Sequence, residues 1–135
     1  QGQYSSNPSS IAQKAAEAAY LGDQTCIEEM RKAFERRRNL IVELLSESPG
    51  LRINNPQGAF YIFPEVSSYF GKKNGEEVIK DSHDLSMYLL EEAHVATVEG
   101  AAFCAPDYIR LSYATSDENI KEAVARIKVA LAKLK

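Results

Sequence analysis

The chain has 135 residues, of which 44% are hydrophobic and 26% charged, a composition typical of one compact globular domain. Its formal net charge of −3 argues against a nucleic-acid-binding protein, because such proteins carry a strong basic excess. The sequence predicts neither a membrane-spanning helix nor a signal peptide. Cys26 and Cys104 lie far apart and lack the CxxC spacing, so they predict a reducing, cytoplasmic compartment and no disulfide framework.

Two helices are predicted in the first third of the chain. Asn7 and Pro8 are expected to begin the first, because asparagine caps free backbone N–H groups and proline is favoured at the first helical position. The second, over about residues 23–48, is longer and ends before Pro49. Its apolar residues recur every three or four positions or at multiples of a turn: Ile27, Met30, Phe34, Ile41 and Leu45. A helix of this length spans roughly 35 Å, which suits a strut between domains.

The middle of the chain predicts a small sheet. Residues 51–53 and "AFYIFP" (59–64) have the composition of strands, and "NNPQG" between them is a turn. The polar stretch "GKKNGEE" (71–77) is predicted to be a surface loop. A helix over about residues 84–93, capped by Asp81 or Ser82, precedes two further strand candidates, "HVATV" and "YIRLSYA".

A last helix closes the chain. Thr115 and Glu118 have the spacing of a capping box, in which the glutamate reaches back to the N–H of the cap residue. An apolar stripe follows: Ile120, Val124, Ile127, Leu131 and Leu134. The predicted class is therefore α/β with an α+β-like small domain, in which helices pack on a small mixed or antiparallel sheet that a long interdomain helix precedes.

One permanent charge interrupts the apolar strand "YIRLSYA". Because strand side chains alternate between faces, Ile109, Leu111 and Tyr113 should form an apolar face and Arg110 should lie on a mixed one. A guanidinium there is either an exposed side chain without a ligand or a planar fork that binds a carboxylate through two hydrogen bonds. The spacing alone leaves both interpretations open.

Four stretches follow one another in an order that is informative as a set: "SSNPSSIAQKAAEAAY", "RRNLIVELLSESPGLRINNPQGAFYIFP", "HDLSMYLLEEAHVATVEG" and "VEGAAFCAPDYIRLSYATSDENIKEAVARI". Together they cover nearly the whole chain and resemble the C-terminal part of class I aminotransferases that use pyridoxal 5'-phosphate, in particular the bacterial aspartate-aminotransferase-like branch. The resemblance implies the last third of a subunit: residues 1–22 as the tail of the large domain, 23–48 as the connecting helix and 49–135 as the small domain.

The resemblance also implies roles for individual residues. Arg110 matches the arginine that binds the α-carboxylate of the amino-acid or 2-keto-acid substrate. Ser6 and Asn7 match a segment that approaches the cofactor phosphate of the partner subunit in a homodimer, although Asn7 is also suited to cap a helix. The family's cofactor-binding lysine, its aspartate at the pyridine nitrogen and its phosphate-binding arginine belong upstream of Gln1. The fragment should therefore hold no catalytic residue and should not transaminate alone.

Three positions depart from the family pattern. Glu99 stands where the family usually has proline and Cys104 where it usually has glycine, both in the turn before Arg110. Each is either a tolerated surface substitution or a change in the turn's shape, and Glu99 could also place an acid near the substrate. Gly2 stands where one branch carries an arginine for a distal carboxylate, so this region does not secure aspartate as the substrate.

Other interpretations stay open. A free-standing α+β module for amino-acid binding or dimerisation would use Arg110 in the same way, but the long N-terminal helix argues for a further domain. His83 and His94 lack the HExxH or His-x-His spacing of a metal site, and no metal is predicted. Near Gly58, a core-packing role is favoured for Phe60.

Overall fold

The computed structural model describes residues 2–4 and 6–135, and the chain divides into two compact units, Gln1–Ala33 and Phe34–Lys135. Four helices are present in the described residues: α1 (Ser10–Leu21), α2 (Thr25–Ser46), α3 (Ser82–Ala93) and α4 (Asp117–Ala132). Two short 3-10 turns cover Ser67–Tyr69 and Gly100–Phe103. None of these helices is long and apolar enough to cross a bilayer.

The strands are short and pair only in antiparallel fashion. They are β1 (Tyr61–Ile62), β2 (Lys73–Asn74), β3 (Glu77–Val78), β4 (Val98–Glu99) and β5 (Ile109–Ser112). One sheet has the order β1-β5-β4, which places β5 at its centre, and β2 and β3 form a separate hairpin. The predicted α+β character is thus confirmed.

The start of α1 differs from the prediction. Ser9, rather than Asn7, is the cap, and its hydroxyl accepts a hydrogen bond from the Ala12 N–H at 3.2 Å. Ser9 has the extended backbone that a cap requires, with φ −60° and ψ 152°. Pro8 lies outside the helix, where its carbonyl accepts a hydrogen bond from the Gln13 side chain. The helix therefore begins two residues later than the proline position indicated.

The last helix also begins one residue later than the capping-box spacing predicts. Ser116 is the cap and accepts a hydrogen bond from the Asn119 N–H at 3.2 Å, while the Thr115 hydroxyl accepts one from the Asn119 side-chain amide. Two adjacent hydroxyls compete for one helix end, and the serine has the extended backbone of a cap. The Asp81 cap of α3 is confirmed by its hydrogen bond from the Asp84 N–H.

All four strand predictions were too long, and "YIRLSYA" contributes only Ile109–Ser112. Residues 51–53 make only an isolated bridge, from Arg52 to Glu65. "AFYIFP" contributes only Tyr61–Ile62, because Ala59 has a left-handed backbone with φ 64°. "HVATV" contributes only Val98, and its first residue, His94, is the left-handed cap of α3 with φ 55°.

The stretch "GKKNGEE" lies at the surface as predicted, but the prediction that it is a loop without strands is wrong. It contains the β2–β3 hairpin, in which Asn74 pairs with Glu77 across a two-residue loop that begins at Gly75. Gly75 has φ 62°, a conformation that glycine adopts without the steric cost of a Cβ atom. A polar composition hid this hairpin, since its strands bury no apolar face.

The hydrophobic core of Phe34–Lys135 lies between the three-stranded sheet and the helices. Its central members come from four elements: Ile41 and Leu45 of α2, Leu85, Tyr88 and Leu89 of α3, Ile109 and Leu111 of β5, and Ile120, Val124, Ile127 and Leu131 of α4. The predicted stripe on α4 is therefore confirmed. The stripe on α2 is buried only in its second half, since Ile27 and Met30 remain 57% and 56% exposed.

A paired charge ties α2 to the start of α4. The Arg36 guanidinium donates from Nε to Oδ2 of Asp117 at 2.9 Å and from Nη2 to Oδ1 at 3.2 Å, a bidentate arrangement. Arg37 lies 3.6 Å from the same carboxylate. The hydrogen bond from Arg36 lowers the pKa of Asp117 below its ordinary value of 3.8.

Two adjacent leucines of α3 test the burial of this core. Leu89 is fully buried and Leu90 is 45% exposed, so the same truncation should have different effects. We expect Leu89→Ala to lower the free energy of unfolding by about 3 kcal/mol, and Leu90→Ala by less than about 1 kcal/mol. Urea denaturation followed by circular dichroism measures both, and equal losses would contradict the packing described.

The Arg36–Asp117 pair should contribute a pH-dependent stability. A carboxyl group with a lowered pKa stabilises the fold above its unfolded pKa, and this contribution is lost as the pH falls through the folded pKa. We expect Arg36→Gln to lower the free energy of unfolding at about pH 7, and to have a progressively smaller effect as the pH falls below the ordinary carboxyl pKa and Asp117 takes up its proton. Denaturant titrations over this range test it, and a loss that does not vary with pH would exclude the pair as its source.

Candidate functional site

Arg110 lies in the central strand, on the face that points away from the core. Its neighbours on β5, Ile109 and Leu111, are 3% and 6% exposed, whereas Arg110 is half-buried. Its partner across the sheet is Val98 of β4. No carboxylate pairs with Arg110 within residues 2–4 and 6–135. The alternation predicted for this strand is confirmed, and the guanidinium donors are left available.

Two aromatic rings lie over the guanidinium, and two more pack behind one of them. The Cζ atom of Arg110 lies 4.5 Å from the ring centroid of Phe103 and 5.5 Å from that of Tyr61. Phe63 meets Phe103 edge-on at 6.0 Å and stacks on Tyr108 at 5.2 Å. We call these four rings, Tyr61, Phe63, Phe103 and Tyr108, the aromatic cradle. A ring face attracts a cation through its quadrupole, so the cradle can hold the guanidinium without occupying its N–H groups.

The turn that carries Phe103 is fixed mainly by backbone contacts. The Gly100 N–H donates to the Tyr108 carbonyl at 2.8 Å, and the Ala105 N–H donates to the Gly100 carbonyl at 3.0 Å. A Cβ atom on Gly100 would collide with the carbonyl oxygens of Ala105 and Tyr108, so only glycine fits this turn. Cys104 ends it in a left-handed conformation with φ 57°, which explains why glycine suits that position in the family pattern.

Glu99 does not lie beside Arg110. It pairs with Ile109 across the sheet, so its side chain is on the opposite face from Arg110. Its carboxylate lies 3.0 Å from Nδ1 of His83, at the start of α3. Glu99 therefore does not lie next to Arg110, and the alternative in which it places an acid near the substrate stays a prediction.

The histidines and cysteines make no further cluster in the described part of the chain. His94 is the left-handed cap of α3, whereas His83 contacts Glu99. No group of three or more histidine, cysteine or acidic side chains could hold a metal ion among the described residues. Cys26 and Cys104 are both free and exposed.

The segment before β1 is tied to the end of β5 by Tyr113. The Tyr113 hydroxyl donates to the Ala59 carbonyl at 3.0 Å, and its N–H donates to the Phe60 carbonyl at 2.8 Å. Burial raises the pKa of the Tyr113 phenol above its ordinary value, so the phenol keeps the proton that it donates. The ring of Phe60 is 53% exposed and touches Tyr61 edge-on, so the core-packing role predicted for Phe60 is wrong within this chain.

Ser6 and Asn7 precede α1 in the Gln1–Ala33 unit. Both are exposed, and Ser6 has a left-handed backbone with φ 58°. Neither side chain makes a hydrogen bond within residues 2–4 and 6–135. Because Ser9 caps the helix, the capping role considered for Asn7 is wrong, and its amide is left without a structural partner here.

The sequence did not predict that Tyr61 and Phe103 contact Arg110. Tyr61 could have been found from register, since it lies opposite Ser112 and therefore shares the face of Arg110. Phe103 offered no such signal, because it is on a turn whose course depends on Gly100 rather than on any periodicity.

The chain belongs to the aminotransferase class I and II family, whose sequence profile matches residues 1–127. It is 47% identical over 135 residues to the aspartate/prephenate aminotransferase of Cereibacter sphaeroides, covering 99% of this chain and 34% of that protein. It is 49% identical over 125 residues to the aspartate aminotransferase of Geobacillus stearothermophilus, covering 90% and 30%. The chain thus spans about a third of the length of the curated relatives it matches.

Solved structures agree with this assignment. The aspartate aminotransferase of Rhizobium meliloti superposes with a TM-score of 0.91 at 42% identity, covering 99% of this chain and 34% of that one. The aromatic aminotransferase of Pyrococcus horikoshii gives 0.81 at 36% identity, with 97% and 34% covered. The alanine aminotransferase of Pyrococcus furiosus gives 0.80 at 30%, with 93% and 30% covered. The predicted family and fold are confirmed.

The left-handed conformation of Cys104 yields a stability test. Glycine adopts this conformation without the steric cost that a Cβ atom adds, so we expect Cys104→Gly to raise the free energy of unfolding by about 1 kcal/mol. The control is Cys26→Gly in the first turn of α2, where the greater backbone freedom of glycine should lower the free energy of unfolding by about 0.5 kcal/mol. Denaturant unfolding of both variants measures the difference, and destabilisation by Cys104→Gly would contradict the strain argument.

Proposed function

We propose that the full-length protein containing this chain is a pyridoxal-phosphate-dependent aminotransferase that transfers an amino group between an amino acid and a 2-keto acid. One observation carries the proposal: the guanidinium of Arg110 has no acid partner in the described residues and lies on the exposed face of a strand within the family match over residues 1–127. This strand resembles the one that supplies the carboxylate-binding arginine in the family. The family match over residues 1–127 favours this reading over a free-standing amino-acid-binding or dimerisation module.

The chemistry required of Arg110 follows from what all substrates share. Every amino acid and 2-keto acid in the reaction carries an α-carboxylate, and a planar guanidinium binds it with two parallel hydrogen bonds. Such a pair fixes the orientation of the substrate, so that its Cα–H bond is held in the direction required for proton removal. Arg110 is thus proposed as a binding and orienting residue, while the proton-transferring group belongs to the remainder of the protein.

Ser6 and Asn7 fit a role at the cofactor phosphate. Their hydroxyl and amide groups are exposed hydrogen-bond donors without partners in the described residues, and phosphate oxygens are strong acceptors. We propose that they bind the phosphate of pyridoxal 5'-phosphate in the partner subunit of a homodimer. When bound, this cofactor supplies an electron sink for the substrate carbanion. The lysine that binds it covalently is proposed to lie upstream of Gln1.

An aspartate-like donor is the substrate class we propose. The named relatives from Cereibacter sphaeroides and Geobacillus stearothermophilus are an aspartate/prephenate and an aspartate aminotransferase. At 30–36% identity, structural neighbours are named for aromatic and alanine substrates, so the fold alone does not select the donor. Because Gly2 replaces a possible distal-carboxylate arginine, the residue that recognises a second carboxylate is proposed to come from outside this chain.

The domain boundaries remain part of the proposal: residues 1–22 as the tail of a large domain, 23–48 as the connecting helix and 49–135 as the small domain. Large apolar side chains within Gln1–Ala33 are exposed, which supports a further domain that covers them: Ile11, Tyr20, Leu21, Ile27 and Met30. A cytoplasmic location is proposed because both cysteines are free.

Replacing the guanidinium tests the function. In the full-length protein, Arg110→Lys should raise the KM for both amino donor and keto acid by about 10- to 100-fold, because an ammonium cannot form the bidentate pair. Steady-state kinetics with saturating cofactor measure the change.

The matched control is Arg126→Lys, on the exposed side of α4, where Arg126 pairs with Glu122. It should leave KM unchanged. Unchanged kinetics in Arg110→Lys would remove Arg110 from the substrate site, and a full-length sequence without a Ser-x-x-Lys segment upstream of Gln1 would contradict the enzyme class itself.

A further inference from the structure

We propose that Phe103 is a positioning residue for Arg110, holding the guanidinium in its carboxylate-binding orientation, with Tyr61 as a weaker second support. The inference rests on the proposed function of Arg110 and extends it to a ring that has no hydrogen-bonding group of its own. Phe103 lies on the turn rather than on the strand, and it acts on Arg110 through the face of its ring.

An arginine side chain loses conformational entropy when it binds a ligand, unless neighbouring residues already restrain it in the free protein. Its side chain carries about 2 kcal/mol of rotamer entropy, part of which is lost when the fork engages a carboxylate. In many sites an acid fixes such an arginine, but no carboxylate pairs with Arg110 in the described residues. The guanidinium instead lies over the faces of Phe103 and Tyr61. These rings restrain the guanidinium and leave its in-plane N–H groups free for a ligand.

Phe103 is the stronger of the two supports. It lies 4.5 Å from Cζ of Arg110, whereas Tyr61 lies at 5.5 Å, and cation–π attraction weakens with distance. Phe103 is itself restrained by the edge contact with Phe63, which stacks on Tyr108. The turn that carries it is fixed by the close approach at Gly100. Phe63 and the backbone of the turn therefore restrain the ring of Phe103.

The expected kinetic signature follows from where Phe103 acts. Holding the guanidinium ready favours the carboxylate in the bound substrate and in the transition state alike, so its loss should change KM far more than kcat. We expect Phe103→Leu in the full-length protein to raise KM for amino and keto acids by about threefold to tenfold, with kcat changed less than about twofold. Phe103→Tyr, which keeps the ring, should restore KM.

A binding measurement separates this effect from catalysis. Propionate and succinate carry carboxylates but neither an amino nor a keto group, so they can bind without reacting. Calorimetric titration of the full-length protein should give dissociation constants for these acids that rise with Phe103→Leu by the same factor as KM. In an Arg110→Met background, Phe103→Leu should add no further loss, because no guanidinium remains to be positioned.

The control for loss of a ring is Phe70→Leu, since Phe70 is partly buried against the core and has no contact with Arg110 in the described structure. It should leave KM and the dissociation constants unchanged. If Phe103→Leu does not fold, Phe103→Met supplies the same test with more bulk retained. Tyr61→Leu should raise KM by a smaller factor.

The outcomes distinguish this inference from the proposed function. If Arg110→Lys raises KM while Phe103→Leu leaves it unchanged, the positioning role is wrong and the function of Arg110 stands. If Phe103→Leu lowers kcat without raising KM, or if Phe103→Tyr fails to restore KM, the cation–π account is overturned. If Arg110→Lys itself has no effect, the proposed role of Arg110 fails first.

Discussion

The period-two alternation of β5 is the constraint on which the site depends. One face of this strand places Ile109 and Leu111 in the core, where their burial fixes the strand against α3 and α4. A one-residue slip would move these side chains to the surface and Arg110 into the core, where an unpaired charge is strongly disfavoured. The packing that stabilises the small sheet therefore also determines the direction of the guanidinium.

That direction could be predicted from the sequence, whereas the surroundings of Arg110 could not. Alternation is a local property, so the sequence alone predicted on which face of the sheet each side chain of residues 109–113 lies. The position of Phe103 depends on a turn whose backbone folds back on Tyr108, a contact between residues that no periodic pattern joins. The family pattern named Arg110 through its neighbours, but it carried no information on which rings touch it.

The boundaries of the elements were missed for a related reason. Ser9 and Ser116 each replaced a plausible cap nearby, Asn7 and Thr115, since asparagine, serine and threonine caps are close in energy and the backbone of the fold selects among them. The predicted strand over residues 59–64 began too early because Ala59 adopts a left-handed conformation, which is uncommon for residues other than glycine and which alanine does not indicate. The long, strongly periodic helices were placed correctly because their apolar faces specify them over several turns.

The turn before β5 also shows why substitutions at positions 99 and 104 are compatible with one backbone. Gly100 is the residue that the close approach of two carbonyl groups requires, so the course of the turn is determined there. Glu99 extends to the opposite face, where it contacts His83, and Cys104 adopts the left-handed angle at a cost of about 1 kcal/mol. Because Glu99 extends to the face opposite Arg110, it leaves the contact between Phe103 and Arg110 in place. The departure at Cys104 acts on the stability of the turn.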